Sequence, residues 1–410
     1  MPRLGLFAIA IVVGSSAGPG CFPFEPPNLV VLTDWPPSRR LAFEVETRSW
    51  NLPEPIRWRW LEAGPSGEVG SLDRIDLVLG LPASQLERLR RQGRLGPQGR
   101  WFVMSRSTLG FAFRPSQIPP PAPDSWSRLA APQAFGIVAL DDPRLDLLAR
   151  VGLRANLRDD AWAEGYAELV LASGNARNIG RGGWSISEVE TGAASIALAA
   201  GVEGPISDEV TFEPIASRPR MVEGGAIAPE SPHRALAEAL IQRLADEGRA
   251  EPPRPEDQVE TDSDADSLLA DLLGSTLVDA QDELRRAVDA LSLVKDPARY
   301  ATLVRFLTQA PPWPPASISK IKQRPDPAPF LETLAREIVP DREAREWVLA
   351  RWREAERPID KAWLDRLAEL QNGELAHEPR FRAWLKAEWT AWARQRYRRV
   401  ARVASGAFVP

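Results

Sequence analysis

Three polar stretches follow apolar runs in this sequence, and the residue types of two of them suit the binding of an anion. In "GRGGWSISE", glycines and Ser185 stand directly before a predicted helix, whose first N–H groups attract negative charge. Arg181 in that turn and Arg144 in "DDPRLD" each carry a planar guanidinium, which holds a carboxylate or phosphate through two hydrogen bonds. In "NLVVLTDWPP", Thr33 and Asp34 end an apolar run. We expect these side chains to face a small solute.

Each of these features also has a purely structural explanation. A glycine turn before a helix is a cap in any fold, and Asp34 would cap the next helix as readily as it would bind an amine. Trp35 would stack on a solute at a strand end, but tryptophans mostly pack in cores. The choice depends on where the surrounding elements place these residues.

Other kinds of chemistry find little support in the residue types. No nucleophile–histidine arrangement, metal signature or phosphate loop with its lysine is present, and His233 and His377 are the two histidines. "DSDADS" mimics the start of a calcium loop, but Ser267 and Leu273 stand where the required glycine and bidentate acid would be. We therefore expect no enzyme, metal or cofactor. A degradative enzyme of the cell envelope, with a general acid and a general base in the site, is an alternative that the sequence leaves open.

The first residues have the form of a bacterial export signal. "MPRLGLFAIAIVV" carries one arginine before an apolar stretch that is too short to span a bilayer. The single cysteine, Cys21, follows as in the lipidated cysteine of bacterial lipoproteins, although Gly18 stands where a leucine is usual. This predicts a signal peptide over 1–20 and a lipid-anchored spacer over 21–27, on an exported protein held at the cell envelope. A secreted protein with an incidental Cys21 is the alternative.

Length and composition predict a soluble globular protein of two or three domains. The chain has 410 residues, of which 44% are hydrophobic and 26% charged. The net charge of −5 gives no indication of nucleic-acid binding.

The order of predicted elements indicates a mostly parallel sheet covered by helices. Strands are predicted at 28–32, 56–62 and 75–79, and helices at 38–47 and 83–92. Leu41 and Val45 fall on one face of the first helix. A long extended stretch, 100–115, contains Gly110, and alternating elements continue to 247. Further helices are predicted at 267–293 and in the tryptophan-rich remainder.

Six stretches over residues 28–248 resemble, in order, the extracellular solute-binding proteins of bacterial ABC importers, of the ferric, sulfate and phosphate-ester type. They are "NLVVLTDWPPSRRLAFEVET", "IDLVLGLPASQLERLRRQGRLGP", "RWFVMSRSTLGFAFRP", "SWSRLAAPQAFGIVALDDP", "IGRGGWSISEVETGAASIALAAG" and "VEGGAIAPESPHRALAEALIQRLADEG". The resemblance implies an α/β, two-lobed fold like that of type II periplasmic binding proteins, with venus-flytrap closure. An α-helical C-terminal region is added to it here.

The implied organisation assigns a role to each part of the chain. Lobe 1 comprises 28–106 and 207–296, lobe 2 comprises 107–206, and the helical C-terminal extension comprises 297–410. The implied function is a monomeric, lipid-anchored receptor that delivers a small solute to an ABC permease in the membrane. The solute would be an organic anion or phosphate ester, and no nucleic acid would be bound.

The resemblance also implies a set of solute contacts. Position by position, they are Thr33, Asp34, Trp35, Gly80, Leu81, Ser107, Thr108, Asp142, Arg144, Arg181, Gly182, Gly183, Trp184 and Ser185.

Two departures from the family pattern qualify the solute. Ferric members use adjacent tyrosines, whereas Tyr166, Tyr300 and Tyr397 are scattered, so we reject iron as the solute. "DDPRLD" replaces the usual small Ser-Gly-Thr-like cradle. This favours the alternative of a lipoprotein that keeps the fold but acts as a sensor or protein-interaction module without transport.

The tail "RFRAWLKAEWTAWARQRYRRVARVAS" combines tryptophans with arginines on one predicted helix. A membrane-surface helix would have this composition. However, Trp384, Trp389 and Trp392 do not form a separate face, and Glu388 interrupts the basic run. We expect this helix to pack against the rest of the protein, with its arginines in solvent.

Overall fold

A computed structural model describes most of the chain after the predicted spacer. The described residues are 28–33, 35, 37–50, 52, 56–62, 72, 74–95, 100–118, 120–180, 185–201, 204–217, 220–254, 257 and 263–406. The predicted signal peptide, the lipidation site Cys21 and the spacer lie outside these residues.

Strands and helices alternate up to residue 246, and helices predominate after it. The strands are β1 (Asn28–Thr33), β2 (Arg57–Glu62), β3 (Leu77–Pro82), β4 (Phe102–Phe113), β5 (Val138–Asp141), β6 (Ala176–Gly180), β7 (Ile196–Gly201), β8 (Gly204–Pro205), β9 (Thr211–Pro214), β10 (Arg220–Ile227), β11 (Pro312–Trp313) and β12 (Arg357–Pro358). The helices are α1 (Pro37–Thr47), α2 (Ala83–Arg91), α3 (Trp126–Ala130), α4 (Leu147–Asn156), α5 (Trp162–Asn175), α6 (Ser185–Glu190), α7 (Arg234–Asp246), α8 (Ser263–Leu273), α9 (Gln281–Leu291), α10 (Pro297–Leu307), α11 (Ala316–Lys322), α12 (Ala328–Ile338), α13 (Arg342–Trp352), α14 (Lys361–Glu369), α15 (Glu374–His377) and α16 (Pro379–Ala404).

Two lobes share one sheet, and β4 belongs to both. Among the described residues the main sheet has the order β2-β1-β3-β10-β4-β7-β5-β6, with β9 paired to β4 and β8 paired to β9. β1 to β3 run parallel to one another, as do β5 to β7, while β10 and β4 are antiparallel to their neighbours. The first part of β4 pairs with β10, and the part from Thr108 to Phe113 pairs with β7. This confirms the predicted two-lobed α/β fold with crossing strands.

Lobe 1 is covered on both faces of its strands. All six residues of β3 are buried, as parallel strands between two helix layers require. One face packs against α2 through residues such as Val78 and Leu86, and the other packs against α1 and α7 through Leu77 and Leu240. On α1 the buried aromatic is Phe43, whereas the apolar face of Leu41 and Val45 is exposed to solvent. The hydrophobic periodicity predicted helix α1 correctly, but it did not predict which face of α1 is buried.

Lobe 2 has a thin core on one face of the sheet and a very large core on the other. Ala112, Phe212 and Val189 form the thin core beneath α6. Gly110 allows β9 to approach, because a Cβ there would lie 2.2 Å from the Glu213 carbonyl oxygen. On the opposite face, alternate β4 residues such as Phe111 join the core that contains α3, α4 and α5.

The helical C-terminal region completes this large core rather than forming a separate one. Residues from α8 to α16 and from lobe 2 belong to the same buried cluster. The sequence analysis placed 207–296 with lobe 1, but α8 and α9 pack against lobe 2 and α16 instead. Their leucines, such as Leu268 and Leu284, find apolar partners there. The predicted helix 267–293 is two helices joined by a π-helical turn at Gly274–Val278.

The long last helix, α16, is a packed helix. Its buried residues recur almost every fourth position: Phe381, Leu385, Trp389, Ala393, Tyr397, Val400 and Ala404. This stripe confirms that the helix packs against the rest of the protein. The expectation that its arginines lie in solvent is wrong for Arg382, whose side chain is 13% exposed and pairs with Asp271. No helix within the described residues combines the length and the apolar content needed to cross a bilayer.

Candidate functional site

The carboxyl ends of both lobes' parallel strands meet at the middle of β4. On the lobe 1 side, Pro82 at the end of β3 lies opposite Glu223 of β10, which in turn lies opposite Ser105 of β4. On the lobe 2 side, Gly201 at the end of β7 lies opposite Thr108. The two sets of strands therefore point towards each other. Ligands of open α/β sheets bind outside such carboxyl ends.

The predicted residues Ser107 and Thr108 lie at this meeting point. β4 is partly exposed from Met104 to Thr108 and buried from Leu109 onwards. Ser107 lies opposite Met221 on the crossing strand β10. The structure therefore places both hydroxyl residues between the lobes, where a solute of either lobe would reach them.

Four more predicted residues are brought together at the lobe 1 edge. Thr33 is fully buried, and its Oγ1 accepts a hydrogen bond of 3.0 Å from the Trp35 backbone N–H. Gly80 has a φ of +70°, and the Trp35 indole covers it so closely that a Cβ would lie 2.0 Å from Nε1. Leu81 follows in the buried strand β3. Thr33 and Gly80 thus position the Trp35 ring.

Trp35 itself is a core residue. It is 3% exposed and contacts Phe43 and Trp60 with ring centroids 5.2 Å and 6.2 Å apart. The ring therefore packs in the core of lobe 1, and a solute could touch only its margin. Its neighbour Asp34 lies outside the described residues.

A charged pair that sequence reasoning missed stands beside Trp35. Arg39, in the first turns of α1, forms an ion pair of 2.7 Å between its Nη2 and Oε2 of Glu223. The Arg39 guanidinium carbon lies 4.6 Å from the Trp35 ring centroid. Ser105 donates a 3.3 Å hydrogen bond to the same Glu223 oxygen. The basic pair in "PPSRRLAF" and the lone acid in "MVEGGAIA" were the available signals.

The neighbouring arginine on β4 is a structural one. Arg106 contacts Asp257 and Glu251 at 2.7 Å and 2.8 Å, which ties the chain after α7 to the crossing strand. Hydrogen bonding from Arg106 lowers the pKa of the buried Asp257 below its usual value, against the opposing effect of burial. With two carboxylates on it, Arg106 has little capacity left for a solute.

On the lobe 2 edge, the predicted residues bind one another and the C-terminal region. Ser185 donates a 2.6 Å hydrogen bond to Asp141. Arg144 lies 2.8 Å from both Asp142 and Asp279, the latter contributed by the segment between α8 and α9. Burial disfavours the Arg144 cation, but its hydrogen bonds to Asp142 and Asp279 outweigh this and raise its pKa. Arg144 is therefore already paired twice.

A shallow basic groove adjoins this edge. It has a volume of about 450 Å³ and is lined by Arg144, Asp279 and three polar residues of α16, namely Lys386, Thr390 and Arg394. The C-terminal region thus reaches the carboxyl end of β5. The predicted contacts Arg181, Gly182, Gly183 and Trp184 lie outside the described residues.

The described residues contain no group of three or more His, Cys, Asp and Glu side chains that could hold a metal ion.

Comparisons with known proteins return solved structures but no family model and no matching curated protein sequence. The periplasmic binding protein P5PA is 13% identical, over 61% of this chain and 99% of that one, with a TM-score of 0.42. AfuA from Actinobacillus pleuropneumoniae, with fructose-6-phosphate bound, is 11% identical over 54% and 80%, with a TM-score of 0.44. Iron-bound HitA from Pseudomonas aeruginosa is 17% identical over 55% and 83%, with a TM-score of 0.39.

With TM-scores below 0.5, these likenesses carry no weight for function. The fold class follows from the strand order and the shared strand β4.

Proposed function

We propose that this protein is an extracytoplasmic receptor that captures a small solute between its two lobes and delivers it to an ABC importer. The lobes would close on the solute about β4 and β10, the two strands that cross between them. Cys21 would carry a lipid anchor, and the solute would be an organic anion or phosphate ester.

One observation supports this proposal above the others. The strand register directs the carboxyl ends of β3 and of β7 towards the same short stretch of β4, from Ser105 to Thr108. Arg39 and Glu223 stand beside the end of β3, and the β4 stretch, which carries Ser105, Ser107 and Thr108, is partly exposed. A junction of two lobes that carries a few polar groups suits the capture of a small molecule.

A second function is favoured by the state of Arg144. Because Asp142 and Asp279 already hold this arginine, the lobe 2 edge offers less to an anion than the sequence predicted. A receptor that has lost its solute, and that acts as a sensor or protein-interaction module, would tolerate this pairing.

Thermal unfolding of the purified protein against a panel of solutes tests the receptor function. The panel contains phosphate, sugar phosphates, phosphonates, sulfate, polyamines, carboxylates and ferric citrate. A solute at a thousand times its dissociation constant stabilises the native state by about 4 kcal/mol, which raises the midpoint by several degrees.

Two variants then locate the binding. Ser107→Tyr would place a bulky ring at the junction of the lobes and abolish the shift, whereas Ser127→Tyr, at an exposed position of α3, would leave it unchanged. A shift that survives Ser107→Tyr would place the solute elsewhere. No shift in the wild-type protein with any solute would favour the sensor or interaction module.

A further inference from the structure

Arg39 is held in place without being enclosed. Its side chain is 41% exposed, while its partner Glu223 is 9% exposed. Trp35 lies beneath the guanidinium, and Glu223 fixes one of its terminal nitrogens. A guanidinium that is fixed on one edge and on one face keeps its remaining donors for a planar anionic group.

The location of Arg39 fits a role in binding. Glu223 lies opposite Pro82 at the end of β3 and opposite Ser105 in the exposed stretch of β4. The Arg39–Glu223 pair therefore stands where the predicted contacts of lobe 1 converge with Ser107. In an open α/β sheet, this edge is where ligands bind.

The number of carboxylates on each arginine distinguishes Arg39 from the others near the site. Arg144 and Arg106 each have two acidic partners. Among the described residues, Arg39 pairs with one carboxylate, that of Glu223. A guanidinium has five N–H donors, so Arg39 can still make a bidentate contact. Most donors of Arg144 already bind Asp142 and Asp279.

We infer that Arg39 binds the carboxylate or phosphate group of the solute in lobe 1, and that Glu223 positions it. This inference rests on the proposed receptor function and names the residue that binds the anionic group of the ligand. Glu223 also lets the test distinguish an anionic solute from a cationic one. It would be the contact residue if the solute were an amine, and it opposes the solute if the solute is an anion.

Calorimetric titration with defined probes separates these possibilities. Inorganic phosphate, glycerol 3-phosphate and citrate serve as anions, and spermidine serves as the cation. The variants are Arg39→Ala, Arg39→Lys and Glu223→Gln. Arg234→Ala is the matched control, since Arg234 is comparably exposed and pairs with Glu238 on the surface of α7. Circular dichroism and unliganded melting temperatures check that each variant is folded.

We expect Arg39→Ala to weaken binding of an anionic probe by about tenfold or more, because a hydrogen bond to a charged group is lost. Arg39→Lys should retain part of the affinity, because lysine keeps the positive charge but cannot make the bidentate contact of a guanidinium. Glu223→Gln should leave anion affinity unchanged or raised, and Arg234→Ala should have no effect.

The contrary outcomes are distinct. Anion binding that is within twofold of wild type in Arg39→Ala would overturn this inference and leave the receptor function standing. If the protein bound spermidine, and Glu223→Gln abolished this binding while Arg39→Ala did not, the solute would be a cation and this inference would be wrong. A wild-type protein that binds none of the probes would overturn both this inference and the anion receptor.

Discussion

Arginines near the junction of the lobes differ in the number of carboxylates that they bind. This difference distinguishes structural arginines from the candidate binding residue. Arg106 joins β4 to the chain after α7 through two carboxylates, whereas Arg144 pairs with Asp142 in its own loop and joins lobe 2 to the C-terminal region through Asp279. Such doubly paired cations fix elements relative to one another. Arg39, with Glu223, orients a charged group at an exposed edge.

The packing of Trp35 on Gly80 gives a prediction for stability. Gly80→Ala would place a Cβ 2.0 Å from the Trp35 indole at a φ of +70°, so both steric overlap and backbone strain oppose it. We expect the unfolding free energy to fall by about 2–4 kcal/mol. Gly93→Ala is the control, since Gly93 has a φ of +66° and nothing within 4 Å of a Cβ. It should cost only about 1–2 kcal/mol. Equal losses in urea unfolding would show that the Trp35 contact adds nothing.

The ion pair between Arg106 and Asp257 predicts a dependence of stability on pH. The pKa of Asp257 is lowered in the folded protein, so its contribution is present above the unfolded value of 3.8 and is lost as the pH falls through the folded value. Asp257→Asn should therefore cost about 1–3 kcal/mol at pH 7, and the difference from wild type should shrink as the pH falls below about 4.

Urea unfolding at pH 7, 5, 4 and 3 measures that difference. Glu238→Gln, in an exposed pair on α7, should stay within about 0.5 kcal/mol of wild type at every pH. A constant cost of Asp257→Asn down to pH 3 would mean that its charge is not what stabilises the fold.

At the scale of elements, the joint between α8 and α9 connects the C-terminal region to the site. The π-helical turn Gly274–Val278 lies between them, and Asp279 follows it to reach Arg144. Tyr166 of α5 donates a 3.1 Å hydrogen bond to Thr276 inside this turn. Burial raises the pKa of the Tyr166 hydroxyl, which therefore stays protonated and able to donate. The turn is thus fixed to two parts of lobe 2.

A glycine in this turn makes the joint sensitive to one methyl group. At Gly274 a Cβ would lie 2.3 Å from Arg144 Nε, and Arg144 cannot withdraw without loosening its hold on Asp142 or Asp279. We expect Gly274→Ala to destabilise the protein by about 1–3 kcal/mol.

The neighbouring residue supplies the control. Ser275 is fully buried, and its hydroxyl has no hydrogen-bond partner among the described residues. Ser275→Ala should therefore be neutral or slightly stabilising in the same unfolding measurement. If Gly274→Ala were as mild as Ser275→Ala, the contact between the turn and Arg144 would not be rigid.

The elements were predictable where the signal is local. Apolar runs gave β1 and β3, and leucine spacing gave α2 and α7, because strand and helix periods are written in neighbouring residues. The exposed face of Leu41 and Val45 shows the limit, since burial depends on which helix face meets the sheet. Pairings such as Arg39–Glu223 and Arg144–Asp279 join distant positions, and a single sequence carries no record of them.

At the scale of the whole molecule, the buried cores divide the chain into lobe 1 and a second unit that consists of lobe 2 and the helical C-terminal region. The cores of lobe 1 are separate clusters, whereas lobe 2 and α8 to α16 share one. Any closure about β4 and β10 would therefore move lobe 1 against lobe 2 together with the helical region. The basic groove on α16 would travel with the lobe 2 edge.

This shared core predicts the effect of shortening the chain. A chain that ends at residue 296 keeps α8 and α9 but loses α10 to α16, including the buried side chains of Trp313, Trp352, Trp389 and Tyr397. The face of α9 that packs against α16 and α10 would then meet water. Exposing that much apolar surface removes a main source of folding free energy, so we expect aggregation or loss of cooperative unfolding. The full-length protein is the reference in near-ultraviolet circular dichroism and thermal melting. A soluble 1–296 chain with a sharp transition would instead make the helical region an independent attachment, and lobe 2 would need another source of stability.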